Sequence, residues 1–204
     1  MTTKVLDYFS ALVADDDSIP LTETALSIAQ DAYPDLDLQA ELAAIDVLVA
    51  RIKNRIVDGT PAIQRLRLLN QFFYRELGFG PNANDYYDPE NSYLNAVLQS
   101  RRGIPISLAV LLMEIGQQIG LPLKGVSFPN HFLVRMSIPA GEVVLDPLTG
   151  QTLSKEELQD MLDPYLEKEG IEDPNSVPLG VFLQVATHRE IIARMLRNLK
   201  AIYL

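Results

Sequence analysis

The stretch Arg101-Arg102-Gly103-Ile104-Pro105-Ile106-Ser107-Leu108 predicts the start of a buried helix. Proline is favoured at the first helical position, because the N–H that it lacks would have no partner there. Apolar residues then recur at helical spacing up to Ile119, and Gly120 and Pro122 end the pattern. Ser107 therefore lies in the first helical turn, beside exposed backbone N–H groups and the positive end of the helix dipole.

After this helix the hydrophobic period changes to two, which is typical of β-strands. The apolar members of this pattern are Val126, Phe128, Phe132, Val134, Met136, Val143 and Leu145. Pro139-Ala140-Gly141 predicts a turn that joins Phe132–Ser137 to Glu142–Leu145 in a hairpin. His131 and Asp146 then lie on one face as diagonal neighbours, about 7–8 Å apart at Cβ and within hydrogen-bond reach. A change of one residue in the turn would break this register.

Ser107, His131 and Asp146 place a hydroxyl, an imidazole and a carboxylate on a helix, a strand and the next strand. In a catalytic interpretation Ser107 attacks the substrate, His131 takes its proton, and Asp146 orients His131. Each residue also has a simpler interpretation. Ser107 caps a helix, His131 is a hydrogen-bonded, half-buried side chain, and Asp146 forms a turn before a proline. The order of the three along the chain supports catalysis, and both interpretations stay open.

The composition argues against several classes of protein. The chain has 204 residues, of which 48% are hydrophobic, so it can bury a large core without disulfides. It has no cysteine, which excludes disulfides, cysteine-ligated zinc and a thiolate nucleophile. With only two histidines, His131 and His188, we expect no metal site and no cofactor. The net charge of -10 disfavours binding to nucleic acid, because phosphate contacts need lysine or arginine.

No feature of the sequence predicts a membrane protein. Residues 1–7 lack the uninterrupted apolar region of a signal peptide. No apolar run approaches the roughly 20 residues that span a bilayer. We therefore expect a soluble, cytoplasmic protein.

Helical spacing dominates the first 80 residues. A short helix is predicted near Thr22, a longer one after Asp37, and a third after Thr60-Pro61. Near the other end, Ser154 and Thr187 each precede a glutamate by three residues, the spacing of a capping box. Two further helices are therefore predicted, the second of which continues to the end of the sequence.

Several motifs are distinctive when taken together. They are Asn91-Ser92-Tyr93-Leu94-Asn95, the stretch from Arg101 to Leu108, Gly120-Leu121-Pro122-Leu123, Phe128-Pro129-Asn130-His131-Phe132-Leu133-Val134-Arg135 and Arg194-Met195-Leu196-Arg197-Asn198-Leu199-Lys200. Together they resemble the bacterial SirB-type family, whose members carry a transglutaminase-like domain that is usually followed by tetratricopeptide repeats. Ser107 takes the position of the nucleophilic cysteine of active transglutaminase-like enzymes, and His131 and Asp146 match the other two catalytic residues. Serine looks usual for the family at this position, which puts cysteine-type acyl transfer in doubt.

The resemblance implies an α+β fold with a transglutaminase-like or papain-like core of a helix and an antiparallel sheet. On this basis we divide the chain into an N-terminal helical subdomain (1–80), the transglutaminase-like core (81–186) and a C-terminal helix (187–204). That last helix is where the repeats of the family would join. Because the repeats are not in this sequence, we expect either a shorter member or a fragment.

Two functions from different classes fit these observations. The first is a non-catalytic protein-interaction or regulatory module, a pseudoenzyme that binds a protein partner or peptide. The second is a serine-dependent hydrolase or acyltransferase that uses Ser107, His131 and Asp146 on an amide or ester. In the second case the Ser107 N–H and the Asn95 side chain are candidates for the oxyanion hole.

Arg101 and Arg102 are candidate binding residues beside the expected cleft. Two adjacent guanidinium groups can clamp a carboxylate or a phosphate. The alternative, which we favour at this point, is that they form surface ion pairs with the acidic loop around Asp85 and Asp88.

Overall fold

The computed structural model of the protein describes residues 3–85, 87–171 and 177–204. The fold is α+β, as predicted, with helices packed against a small antiparallel sheet. The helices are α1 (Thr3–Leu12), α2 (Leu21–Ala29), α3 (Leu38–Lys53), α4 (Ala62–Asn70), α5 (Leu94–Ser100), α6 (Pro105–Gln118), α7 (Lys155–Lys168), α8 (Leu179–Phe182) and α9 (His188–Tyr203). The strands are β1 (Gly80–Pro81), β2 (Arg102–Gly103), β3 (Lys124–Val126), β4 (Leu133–Ile138) and β5 (Gly141–Leu145).

Helices α2, α3 and α4 begin close to the predicted positions, whereas α1 was not predicted. Asp37 caps α3, because its carboxylate accepts hydrogen bonds from the backbone N–H groups of Gln39 and Ala40 at 3.0 and 3.1 Å. Pro61, which we predicted as the first helical residue, is instead the cap of α4, and the helix begins one residue later at Ala62. The sequence did not predict that α4 continues directly into a π-helical segment, Gln71–Glu76.

Helix α6 lies in the centre of the molecule. Pro105 is its first residue, as predicted, and the side chains from Pro105 to Met113 are all buried. The main hydrophobic cluster joins α6 to the N-terminal helices on one side and to β4 and α9 on the other. The N-terminal region 1–80 and the predicted core thus share one continuous hydrophobic core.

The β-hairpin has the predicted register. Val134 lies opposite Leu145, and the turn between β4 and β5 closes with Ile138 opposite Gly141. On its other side β4 pairs with β3, where Val126 lies opposite Leu133. The alternating pattern predicted that this strand reaches Phe128, but β3 ends at Val126, because the Phe128 N–H donates to the Val126 carbonyl at 2.9 Å and so turns away from the ladder.

Helices cover both faces of the sheet. Val126, Phe128, Leu133 and Val144 pack against Leu158, Leu162 and Leu166 of α7 in a second hydrophobic cluster. The two predicted capping boxes are present at the starts of α7 and α9. Over the ranges that the structure describes, every helix is too short or too polar to cross a bilayer.

Candidate functional site

His131 and Asp146 form a hydrogen-bonded pair at the end of the β-hairpin. The distance from His131 Nε2 to Asp146 Oδ1 is 3.1 Å, and the two side chains are 17% and 21% exposed. His131 lies two residues before β4, and Asp146 directly follows β5. The paired residues Val134 and Leu145 therefore bring the imidazole and the carboxylate together, as the predicted register required.

The surroundings keep the Asp146 carboxyl ionised. Burial acts to raise its pKa, but hydrogen bonds from His131 and from the Leu148 N–H, together with the attraction of His131, lower the pKa below its usual value. The Leu148 bond measures 2.8 Å to Oδ1. Because an ionised carboxylate only accepts hydrogen bonds, His131 donates through Nε2–H. In the neutral imidazole the lone pair is then on Nδ1, which makes no hydrogen bond to any described residue.

The Ser107 hydroxyl is bonded to backbone groups only. Its side chain is 0% exposed, and Oγ lies 2.7 Å from the Asn91 carbonyl and 3.1 Å from both the Ile104 carbonyl and the Ile104 N–H. Gly103 leaves just enough room for this arrangement, since a Cβ there would lie 2.7 Å from Oγ. Among the hydrogen bonds of the described residues, none joins Ser107 to His131.

A cavity of about 310 Å³ opens beside His131. It lies between the start of α6, the turn before β4 and the last turns of α9. Its apolar walls are Ile104, Pro105, Ile106, Phe132, Ala201 and Ile202, and its polar groups are Tyr87, Asn130, His131, Arg194 and Asn198. Ser107 is not among the described residues that line it, although its two preceding neighbours are.

The fold and the match to known proteins agree. A family model described as the transglutaminase-like superfamily matches residues 39–197. The chain belongs to the transglutaminase-like superfamily. Among the relatives of this transglutaminase-like domain are UPF0162 proteins of Xylella fastidiosa and Vibrio cholerae, which are 40% and 31% identical over 195 and 189 residues. These alignments cover 95% and 92% of this chain, and 68% and 67% of the two relatives.

A eukaryotic protein also matches. F-box only protein 21 of Mus musculus is 32% identical over 166 residues, which cover 70% of this chain and 26% of that protein. The transglutaminase-like domain spans about two thirds of the length of the UPF0162 relatives that it matches. No solved structure gives a significant match.

Two side chains that the sequence analysis missed hold the Asp146 turn of this transglutaminase-like domain. Tyr74 donates a hydrogen bond to the Pro147 carbonyl, and Asn70 donates one to the Gly150 carbonyl, both at 2.9 Å. Burial and the nearby Asp146 raise the pKa of Tyr74, so its hydroxyl stays protonated and can donate. Tyr74 lies in the π-helical segment, and no sequence signal predicts that segment, so its hydrogen bond to the Pro147 carbonyl could not be foreseen.

Arg194 of α9 holds the turn that carries His131. Its guanidinium donates to the His131 carbonyl at 2.7 Å, to Ser127 Oγ at 2.7 Å and to the Phe128 carbonyl at 3.1 Å. Arg194 begins the last motif of the SirB-type resemblance, and this motif was the signal that could have identified it. Residues that are distant in sequence from His131 and Asp146 thus hold the backbone beside each member of the pair.

Arg101 and Arg102 lie near the start of α6 but outside the His131 cavity. Arg101 adopts a left-handed conformation at the end of α5, and its guanidinium lies 4.7 Å from the centre of the Phe79 ring. Arg102 donates to the Gly78 and Arg101 carbonyls. Within the described part of the chain, the ion pairs include neither arginine, so the alternative of pairs with Asp85 and Asp88 is not seen.

Asn95 lies away from the His131–Asp146 pair. It is 3% exposed and lines a groove beside α5 that shares no described lining residue with the His131 cavity. The predicted oxyanion role for Asn95 would require it to face the same space as His131. Among the described residues, no three acidic or histidine side chains cluster as metal ligands would.

Proposed function

We propose that the protein is a non-catalytic transglutaminase-like module, which binds a segment of a protein partner in the cavity beside His131. The observation that carries this proposal is the Ser107 hydroxyl. It is fully buried and bonded to the backbone of Asn91 and Ile104. A serine nucleophile has to face both its substrate and its base, and this hydroxyl faces neither.

The chemistry of the hydroxyl supports the same conclusion. A serine has one hydroxyl proton, and the short 2.7 Å contact directs it to the Asn91 carbonyl. Transfer of that proton to His131 would require the hydroxyl to leave the Asn91 carbonyl and the Ile104 backbone. This would break buried hydrogen bonds worth about 0.5–1.5 kcal/mol each, although the Ile104 N–H would still donate to the Asn91 carbonyl at 3.3 Å and the Ile104 carbonyl would still accept from the Leu108 N–H at 3.1 Å. Ser107 is better suited to fastening the start of α6 to the Asn91 turn.

The cavity has the composition of a small binding site. Apolar side chains form most of its wall, and a few polar residues complete the lining. The Nδ1 atom of His131 can accept a hydrogen bond there, and the Asn198 carboxamide can donate and accept. An apolar side chain of a partner segment, followed by a backbone N–H, satisfies both parts of the cavity.

Finer assignments rest on the sequence motifs. We assign the chain to the SirB-type group within the superfamily, which implies tetratricopeptide repeats in longer members. We keep the division at residues 80 and 186 as the expected domain limits. The cytoplasm is the expected compartment, and a protein rather than a nucleic acid is the expected partner, in keeping with the net charge of -10.

The decisive experiment measures access to position 107. Because the chain has no cysteine, Ser107→Cys introduces a single thiol, whose alkylation by iodoacetamide can be timed in the native protein. Ser27→Cys and Ser10→Cys are matched controls at a fully buried and an exposed serine. We expect Ser107→Cys to react as slowly as Ser27→Cys. Alkylation as fast as at position 10 would refute the proposal.

A serine-dependent hydrolase or acyltransferase is the second candidate, and the His131–Asp146 pair is the observation that favours it. A fluorophosphonate probe distinguishes the two functions. Labelling of the wild-type protein that disappears in both Ser107→Ala and His131→Ala would establish an activated serine. Absence of labelling in the folded wild-type protein supports the binding module.

A further inference from the structure

A second cavity lies in the groove beside Asn95, where residues of α5 form one wall. It has a volume of about 770 Å³, and the turn after α2 forms its other wall. Tyr33, Leu36 and Ala96 supply apolar surface, whereas Asp35, Glu90 and Asn95 supply polar groups. None of these residues lines the His131 cavity. The groove is therefore independent of the proposed function.

Asn95 is the unusual residue of this groove. Its side chain is 97% buried, since only 3% is exposed, and its Oδ1 has no hydrogen-bond partner among the described residues. A buried carboxamide oxygen without a partner costs folding free energy, so such an atom needs a specific explanation. A 180° rotation of the amide exchanges oxygen and nitrogen in the same space, so either group can face the groove.

The charged residues that line the groove indicate which kind of ligand it binds. Glu90 and Asp35 are both exposed carboxylates, and neither is ion-paired with a lysine or arginine in the described part of the chain. The Tyr33 hydroxyl donates to Glu90 Oε1 at 3.0 Å, which holds the carboxylate beside the groove. No basic side chain lines the groove among the described residues. This environment favours a cationic ligand that donates hydrogen bonds.

We propose that this groove binds the guanidinium group of an arginine side chain that a partner polypeptide presents. A guanidinium has five N–H donors in a planar fork, so one group can reach both the Glu90 carboxylate and the Asn95 carboxamide oxygen. Its flat face can lie against the Tyr33 ring in a cation–π contact. The methylene stem packs on Leu36 and Ala96. Lysine lacks the fork and fits less well.

The test is a titration followed by NMR. The protein is labelled with 15N, and the side-chain NH2 signals of Asn95 are followed while acetyl-Gly-Arg-Gly-amide is added. We expect saturable shifts of these signals with the arginine peptide. The same peptide with lysine in place of arginine should bind about tenfold more weakly. The citrulline peptide has the same shape without the charge, and we expect no saturable shift with it. Equal binding of the arginine and citrulline peptides would overturn the proposal.

Three variants locate the binding site. Glu90→Gln and Tyr33→Leu should each weaken binding of the arginine peptide by about tenfold, and Asn95→Leu should do the same if its remaining spectrum stays that of the folded protein. Asp58→Asn removes the same charge from an exposed residue outside the groove and should leave binding unchanged. If Asp58→Asn weakens binding as much as Glu90→Gln, the attraction is unspecific and the proposal fails.

Titration with free arginine shows whether the ligand is an arginine within a polypeptide or the free amino acid. If it is a polypeptide, the blocked peptide should bind more tightly than free arginine, because the carboxylate of free arginine is repelled by Glu90 and Asp35. Free arginine that binds as tightly as the peptide would overturn the assignment to a polypeptide. Because Ser107 and His131 lie elsewhere, failure of this titration leaves the alkylation result at position 107 unaffected.

Discussion

His131 Nε2 and Asp146 Oδ1 lie 3.1 Å apart, although neither residue belongs to a strand. The hairpin brings them near each other, and side chains from distant parts of the sequence complete the arrangement. Arg194 holds the His131 carbonyl, and Tyr74 holds the Pro147 carbonyl next to Asp146. The pair is therefore a tertiary feature of the whole domain, and it can be tested by changes far from it in sequence.

The first prediction concerns Asp146→Asn and pH. The folded state lowers the pKa of Asp146, so its ionised form stabilises the protein above the unfolded pKa of about 3.9, and this contribution is lost as the pH falls through the folded pKa. At pH 7 we expect the variant to lose about 1–3 kcal/mol of unfolding free energy in urea. The difference in unfolding free energy between the wild-type protein and Asp146→Asn should be smaller at pH 3 than at pH 7.

Asp58→Asn is the control for this experiment, because Asp58 is exposed and removal of its charge changes the net charge equally. A gap between wild type and Asp146→Asn that is as wide at pH 3 as at pH 7 would contradict a stabilising ionised pair. NMR titration of the carboxyl gives a direct check, since His131→Ala should raise the pKa of Asp146.

The second prediction concerns Ser107→Ala. The variant removes one acceptor of the Ile104 N–H and one donor to the Asn91 carbonyl, both buried, although these two backbone groups still bond to each other at 3.3 Å. We expect the unfolding free energy to fall by about 1–3 kcal/mol. Ser10→Ala changes an exposed serine and should stay within about 0.5 kcal/mol of wild type. A Ser107→Ala variant as stable as Ser10→Ala would mean that the hydroxyl does not fasten α6.

The sequence predicted the relationships that follow from local pattern. Pro105 at the start of α6, the Asp37 cap and the Val134–Leu145 register are confirmed, because each depends on residues close in sequence. The hairpin register was sufficient to predict that His131 and Asp146 meet. Hydrophobic period, caps and turn residues act over a few residues, so they can be recognised without a structure.

The features that the sequence did not predict depend on packing between distant elements. The π-helical segment places Tyr74 against the Asp146 turn, and no propensity distinguishes it from ordinary helix. The direction of the Ser107 hydroxyl is set by Asn91, which lies sixteen residues earlier. Asn95 and His131 both belong to recognisable motifs, yet α5 directs Asn95 into a separate groove. Motifs identify such residues but not the space that they face.

The third prediction compares two glycines. Gly150 has a φ of +73°, and a Cβ there would clash with Cε2 of Tyr74, whereas Gly170 has a φ of +75° and a Cβ there would have no described residue within 4 Å. Gly170→Ala should cost about 1–2 kcal/mol for its left-handed backbone. Gly150→Ala has the same backbone strain and also displaces the Tyr74 ring. It should therefore lower the unfolding free energy by about 1–3 kcal/mol more than Gly170→Ala does.

Urea unfolding of the two variants measures this difference, and the excess at Gly150 should shrink in a Tyr74→Leu background, because the two residues are in contact. The Asp146 carboxyl should shift in the NMR spectrum of Gly150→Ala and not in that of Gly170→Ala. Equal costs at the two glycines would show that Tyr74 does not hold the turn.

The last prediction concerns Arg194→Gln and the mobility of the His131 turn. The His131 N–H donates to the Phe128 carbonyl at 3.2 Å, and Arg194 donates to the same Phe128 carbonyl and to the His131 carbonyl. Loss of these charged hydrogen bonds should raise the hydrogen-exchange rate of the His131 amide by about tenfold, because local opening becomes easier by about 1.4 kcal/mol. Arg197→Gln, at an exposed position one turn away in α9, should leave the rate unchanged. If the His131 amide exchanges at the same rate in Arg194→Gln and Arg197→Gln, the strands alone hold the turn, and α9 has no part in positioning His131.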